Sequence, residues 1–132
     1  MRYTVPLTQM EPTKEQVDWI AQTRRGVLEL CLLMALDKGP QYGYQLLSEL
    51  ARWPALEAPE GTVYPLLRRL ERTGQLTSTW RESQAGPPRK YYSLTRSGRR
   101  ELASKAAQWE AISQSVAELK RAGGVLSETR IQ

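Results

Sequence analysis

The side chains able to act chemically in this chain are mostly cationic, and they are concentrated. Between residues 61 and 100, nine of them (Arg68, Arg69, Arg72, Arg81, Arg89, Lys90, Arg96, Arg99 and Arg100) stand against two acids, Glu71 and Glu82. That is a local charge of +7, and because the whole chain carries +5, the remainder sums to −2. A basic block inside a mildly acidic chain suits a polyanion such as DNA, since neutralising phosphates releases condensed counterions. A solvated basic face has the same composition, so charge alone leaves both readings open. Groups suited to catalysis are sparse. There is no histidine, which removes His-based triads and His metal clusters. The one cysteine, Cys31, lies in an apolar stretch and reads as a small core residue. Alone it forms no internal disulfide, which suits a reducing cytoplasm. No glycine-rich phosphate loop occurs and the acids are scattered, so neither an enzyme nor a cofactor is expected.

Cations need elements to aim them, and a chain of 132 residues has room for one compact core and an appendage. The longest apolar run, Leu30–Leu36, is too short to cross a bilayer, and the start shows no basic-then-apolar leader, so no membrane partner is expected. Residues 1–22 read as an arm with Pro6 and Pro12, followed by a short helix Lys14–Gln22 capped by Thr13 and carrying Val17, Trp19 and Ile20. A second helix, Thr23–Asp37, is apolar almost all round and stops at Gly39-Pro40. A third, Tyr42–Trp53, sets Gly43, Leu46, Leu47 and Leu50 on one stripe, and a loop follows over Pro54–Glu60. A fourth runs from Gly61 to Arg72 and closes at Gly74, with Pro65 near its start.

The period then changes from 3.6 to 2. Leu76, Ser78 and Trp80 alternate with Thr77, Thr79 and Arg81, and after a turn over Ser83–Pro88, Tyr92 and Leu94 alternate with Tyr91 and Ser93. This is a hairpin. Thr95 caps a final helix, about Arg96–Arg121, that ends at Gly123-Gly124. The expected fold is mainly α with a small β-hairpin: a winged helix-turn-helix over residues 23–95, a C-terminal dimerisation helix over 96–123 and a flexible tail over 124–132.

On the fourth helix, at 100° per residue, Val63, Leu66, Leu67 and Leu70 form one stripe. Gly61, Pro65, Arg68 and Arg72 lie opposite, flanked by Tyr64 and Arg69. The outward face is small or aromatic at its start (Gly61, Thr62, Tyr64, Pro65) and cationic further along. A recognition helix has that profile, because its first turns must approach base edges and its arginines must reach guanine or phosphate. A helix that carries arginines only for solubility is the plainer alternative, and an exposed tyrosine and proline beside Gly61 argue against it. In the hairpin, Arg89 and Lys90 follow Gly86-Pro87-Pro88, where cations suit a minor groove or its flanking phosphates. Basic residues there also deter edge-to-edge strand pairing.

Gly43-Tyr44, then Gly61-Thr62-Val63-Tyr64-Pro65-Leu66-Leu67-Arg68-Arg69-Leu70-Glu71, then Arg89-Lys90-Tyr91-Tyr92-Ser93-Leu94-Thr95 with Gly98 three residues on, resemble the PadR family of bacterial transcriptional regulators. The likeness spans roughly Arg24–Trp109, and the single long final helix resembles the short-tailed subgroup. The resemblance implies a homodimeric repressor released from its operator by a small molecule or another signal. It also implies that Thr62, Tyr64, Pro65 and Arg68 face the major groove while the wing reaches the adjacent minor groove, and Tyr44, Arg69, Arg72, Arg89 and Lys90 complete the expected DNA-binding set. The chain departs from the family pattern at Pro87, where members often carry a basic residue.

Along the final helix Leu102, Trp109 and Val116 repeat at seven, with Ile112 and Leu119 between, a short heptad seam broken at Lys105. A second copy would cover this stripe, with Trp19 completing the interface, and two recognition helices so held predict an inverted-repeat operator. Trp109 reads first as a bulky interface anchor. Short-tailed relatives place a tryptophan near this position in a pocket at the dimer centre, so the resemblance also implies a small aromatic effector stacked on the indole. Two other readings stand beside the regulator: a winged-helix protein-interaction module, and a DNA-binding protein without sequence preference.

Overall fold

The computed structural model describes residues 13–123. The N-terminal arm with Pro6 and Pro12, the side chains of residues 15–18 and the tail 124–132 lie outside the described residues. Helix α1 (Lys14–Leu36) leads through a two-residue strand β1 (Gln41–Tyr42) into α2 (Gly43–Ala51). A 3₁₀ turn over Pro54–Leu56 and helix α3 (Glu60–Arg72) follow, then strands β2 (Leu76–Ser83) and β3 (Gly86–Leu94), and the long helix α4 (Arg96–Gly123). The sheet is antiparallel in the order β1-β3-β2. Three helices, a hairpin wing and a trailing helix make a winged helix-turn-helix, mainly α with a small sheet.

One core organises these elements. Leu28, Leu32, Leu33 and Leu36 of α1 meet Leu46 and Leu50 of α2, Val63, Leu67 and Leu70 of α3, and Leu76 and Tyr92 of the sheet. The near-continuous leucines of α1 thus face helices on two sides, as a helix apolar around most of its girth must. Helix α4 contributes little to this core, with Leu102 packed against its margin.

Two expectations are corrected, and two features were not foreseen. The helices placed at Lys14–Gln22 and Thr23–Asp37 are one helix, α1, running unbroken through residues 22 and 23. Thr23 lies inside it, its hydroxyl donating to the Trp19 carbonyl one turn back (2.8 Å), the bond of a threonine inside a helix. The hairpin turn falls at residues 84–85, and Gly86-Pro87-Pro88 begin β3. Prolines fit there because β1 pairs only with Tyr91 and Tyr92, and the β2–β3 register shifts between Arg81 and Ser83, so neither proline is held in a regular two-sided ladder. Trp80 shares the face of Leu76 and Ser78 but is 69% exposed, because the core ends before the wing tip. Finally, the short strand β1 was not expected. Its pairings Gln41↔Tyr92 and Tyr42↔Tyr91 tie the start of α2 to the wing.

Two joints fix the helices against one another. Thr95 at the head of α4 donates its hydroxyl to the Gly74 carbonyl (2.6 Å) and accepts from the Gly98 amide (2.9 Å). A Cβ at Gly98 would overlap the Gln75 carbonyl, so only glycine lets α4 start this close to the end of α3. At the other joint, a Cβ at Gly43 would collide with the Tyr64 ring. The Gly43-Tyr44 pair is thus a close approach between α2 and α3.

Candidate nucleic-acid interface

Helix α3 buries Val63, Leu67 and Leu70 completely and leaves Gly61, Thr62, Pro65, Arg68 and Arg72 exposed. The helix begins at Glu60, one residue earlier than expected, with the amides of Thr62 and Val63 donating to the Pro59 carbonyl. Pro65 is therefore its sixth residue and deprives the Gly61 carbonyl of its usual i+4 donor. That acceptor belongs to the exposed N-terminal turns of α3. At the other end the helix closes beyond Gly74, where the Gln75 amide returns to the Leu70 carbonyl (2.9 Å).

Tyr64 is half-buried beside Gly43, and burial, then the nearby Glu60 and Tyr92, push its phenol above the ordinary range, so it stays a neutral hydrogen-bonding group. With Tyr42, Tyr44, Trp80 and Arg89 it lines an aromatic groove of about 610 Å³ between the head of α2 and the wing. Tyr44 is exposed at its rim.

The cations divide into those already paired and those left open. Arg69 leans away from the outward face to Glu29 of α1 (3.0 Å), and Lys105 of α4 reaches the same carboxylate (3.6 Å). The break in the heptad seam at Lys105 is thus an intramolecular ion pair. On the wing Lys90 pairs with Glu71 of α3 (3.0 Å), which also accepts from the Ser78 hydroxyl (2.5 Å). These bonds push the Glu71 carboxyl below its ordinary value, first through Ser78 and then Lys90, and they push the Lys90 ammonium up. Arg68, Arg72 and Arg89 take part in none of the ion pairs among the described residues. Arg68 and Arg72 line one cleft of about 600 Å³ together with Thr62, Pro65, Arg69 and Arg25 of α1, a cation the sequence reading passed over.

Of the residues expected at an interface between copies, Trp19, Trp109, Ile112, Val116 and Leu119 are exposed in the single chain, and Leu102 is half-buried. Trp109 and Ile112 border a cleft of about 330 Å³ against Gly26, Val27 and Leu30 of α1. Cys31 is half-buried and its thiol is pushed up by burial, as for an inert core residue. No group of His, Cys, Asp or Glu that could hold a metal ion occurs among the described residues, and no helix there is long and apolar enough to cross a membrane.

Residues 32–104 match the family model described as the transcriptional regulator PadR-like family. The chain belongs to that family. It is therefore a transcriptional regulator and its work is not enzymatic. Solved PadR-family structures agree. The regulator from Eggerthella lenta is 38% identical over 78% of this chain and 89% of its own, with a TM-score of 0.69. The PadR-like regulator from Bacillus cereus is 35% identical over 74% of this chain and 95% of its own, at 0.68. Bacillus subtilis PadR, solved in complex with operator DNA, is 29% identical over 61% of this chain and 45% of its own, at 0.55.

Proposed function

We propose that this PadR-family protein binds double-stranded operator DNA as a homodimer, represses transcription there and is released by a small-molecule or other signal, acting in the cytoplasm. The observation that carries the DNA reading is the exposed face of α3, where Gly61, Thr62 and Pro65 give way to Arg68 and Arg72 with no acid bound to either arginine. An interaction module would present an apolar or acidic surface at that place. The operator complex of the Bacillus subtilis relative supports the same reading. Residues 23–95 serve as the reader, with Tyr44 and Tyr64 bordering the groove beside the recognition helix. Helix α4 over 96–123, with Trp19, serves as the dimer element.

An electrophoretic shift assay with the protein's own upstream DNA tests this. Binding that survives excess competitor DNA is expected. Binding that competitor abolishes at any ratio would favour a protein without sequence preference, and no binding would favour the interaction module. The Trp109 cleft is the place assigned to the signal: a planar aromatic compound there would stack on the indole and alter the spacing of the two readers. A compound that frees the DNA should quench tryptophan emission in wild type but not in Trp109→Phe. Equal quenching in both rejects this site.

A further inference from the structure

On the wing, the strand register sets two like charges against each other. Arg81 of β2 and Arg89 of β3 are direct partners across the ladder, an arrangement that costs stability when nothing answers it. No acid does so: among the described residues neither arginine forms an ion pair, and Glu82, next in sequence to Arg81, pairs with neither.

Aromatic rings hold the two guanidiniums instead. That of Arg81 lies 4.3 Å from the centre of the Tyr91 ring, and that of Arg89 lies 4.5 Å from the Tyr42 ring. The two tyrosines touch edge to face at 5.2 Å, so the four side chains form one bent chain of contacts, Arg81–Tyr91–Tyr42–Arg89. A guanidinium stacked on a ring keeps its N–H donors in its own plane, free for an anion at its edge. Lys90, the neighbour of Arg89, contrasts with both because Glu71 already satisfies it.

We propose that Arg81 and Arg89 act together as a clamp for DNA phosphates on the wing, with Tyr91 and Tyr42 as the residues that position it. The assignment rests on the DNA-binding reading above and adds Arg81, Tyr91 and Tyr42 to it. Tyr42 gives the clamp a fixed relation to the reader, since it lies on β1 and immediately precedes α2. Its backbone amide donates to Gln45 in the first turn of that helix (3.0 Å). The wing charge and the helix-turn-helix are thereby joined through one ring.

Equilibrium titrations of the full chain on upstream DNA and on a scrambled duplex, repeated over a range of salt, test the clamp. Arg81→Gln and Arg89→Gln should each lower the slope of log K against log salt by about one, and the double variant by about two. For a single substitution that is about three- to four-fold in affinity between roughly 50 and 200 mM salt. The loss should be equal on both duplexes. Tyr91→Phe, which keeps the ring, should retain the wild-type slope, and Tyr91→Leu should lower it. A wild-type slope in Arg81→Gln would overturn the clamp while leaving the DNA reading intact, and so would a loss confined to one of the duplexes. Failure of the wild type to bind either duplex would overturn both.

Discussion

Arg68 leaves α3 opposite the buried Val63, Leu67 and Leu70, with no acid to hold it back from a base edge. Replacing it with alanine is expected to weaken binding to the specific site by about 1–3 kcal/mol, the value of one bidentate base contact. Fluorescence anisotropy on specific and scrambled duplexes would measure this, and an equal loss on both would remove the base-reading role. Glu71 and Lys90 are bound to each other. Because the folded state depresses Glu71, its contribution is complete above the unfolded value and disappears as pH falls through the folded one. Because the folded state raises Lys90, its contribution is complete below the unfolded value and disappears as pH rises through the folded one. The pair therefore stabilises the whole neutral range. Both side chains are about 30% exposed, and solvent screening holds the gain to about 1 kcal/mol or less. Glu71→Gln should accordingly lower thermal stability slightly and flatten the acid side of its pH profile. Helical periodicity alone identified the outward arginines. Which acid captures which cation was not legible, because Arg69–Glu29 and Lys90–Glu71 bridge elements whose mutual placement no local pattern encodes.

At the scale of elements, α2, α3, α4 and the two wing strands announced themselves through period and punctuation, while α1 was read as two helices and the joints escaped. Thr23 has the chemistry of a cap, and only the i−4 carbonyl it found makes it an interior residue. The strand β1 is two residues long and exists because β3 offers it an edge, a tertiary fact with no local signature. Trp80 obeys the alternation of its strand and is exposed all the same, since alternation gives the face and says nothing of where the core stops. The joint at Gly98 was visible as a motif residue, but its purpose appears only in the structure. Gly98→Ala must push α4 away from a backbone carbonyl that has no rotamer to yield. Destabilisation of about 1–3 kcal/mol is expected from chemical denaturation, as for other overpacked sites. Retention of full stability would show that the joint is looser than its geometry.

Over the whole molecule, α4 leaves an apolar stripe beyond Leu102 uncovered by the described residues. Its Ile112, Val116 and Leu119 are exposed, and Leu119 is 72% so, beyond anything a solitary helix gains from. Under the proposed homodimer, Val116→Asp should shift sedimentation toward the monomer, abolish the concentration dependence of Tm and weaken operator binding at nanomolar protein. Helicity of the winged domain should survive, because Val116 lies far along α4 from the core margin at Leu102. Unchanged sedimentation would place the interface elsewhere.

The ion pair between Glu71 and Lys90 also bears on how this regulator responds to acidity. Its two titrations are pushed apart, the Cys31 thiol is pushed further up, and the chain has no histidine, the side chain that ordinarily changes charge between about pH 5 and 8. Neither this pair nor the thiol therefore changes charge across that interval, and affinity measured at fixed salt should change little from about pH 6 to 7, below the titration of the terminal amine. A drift in the acidity of the cell should leave this protein on its site.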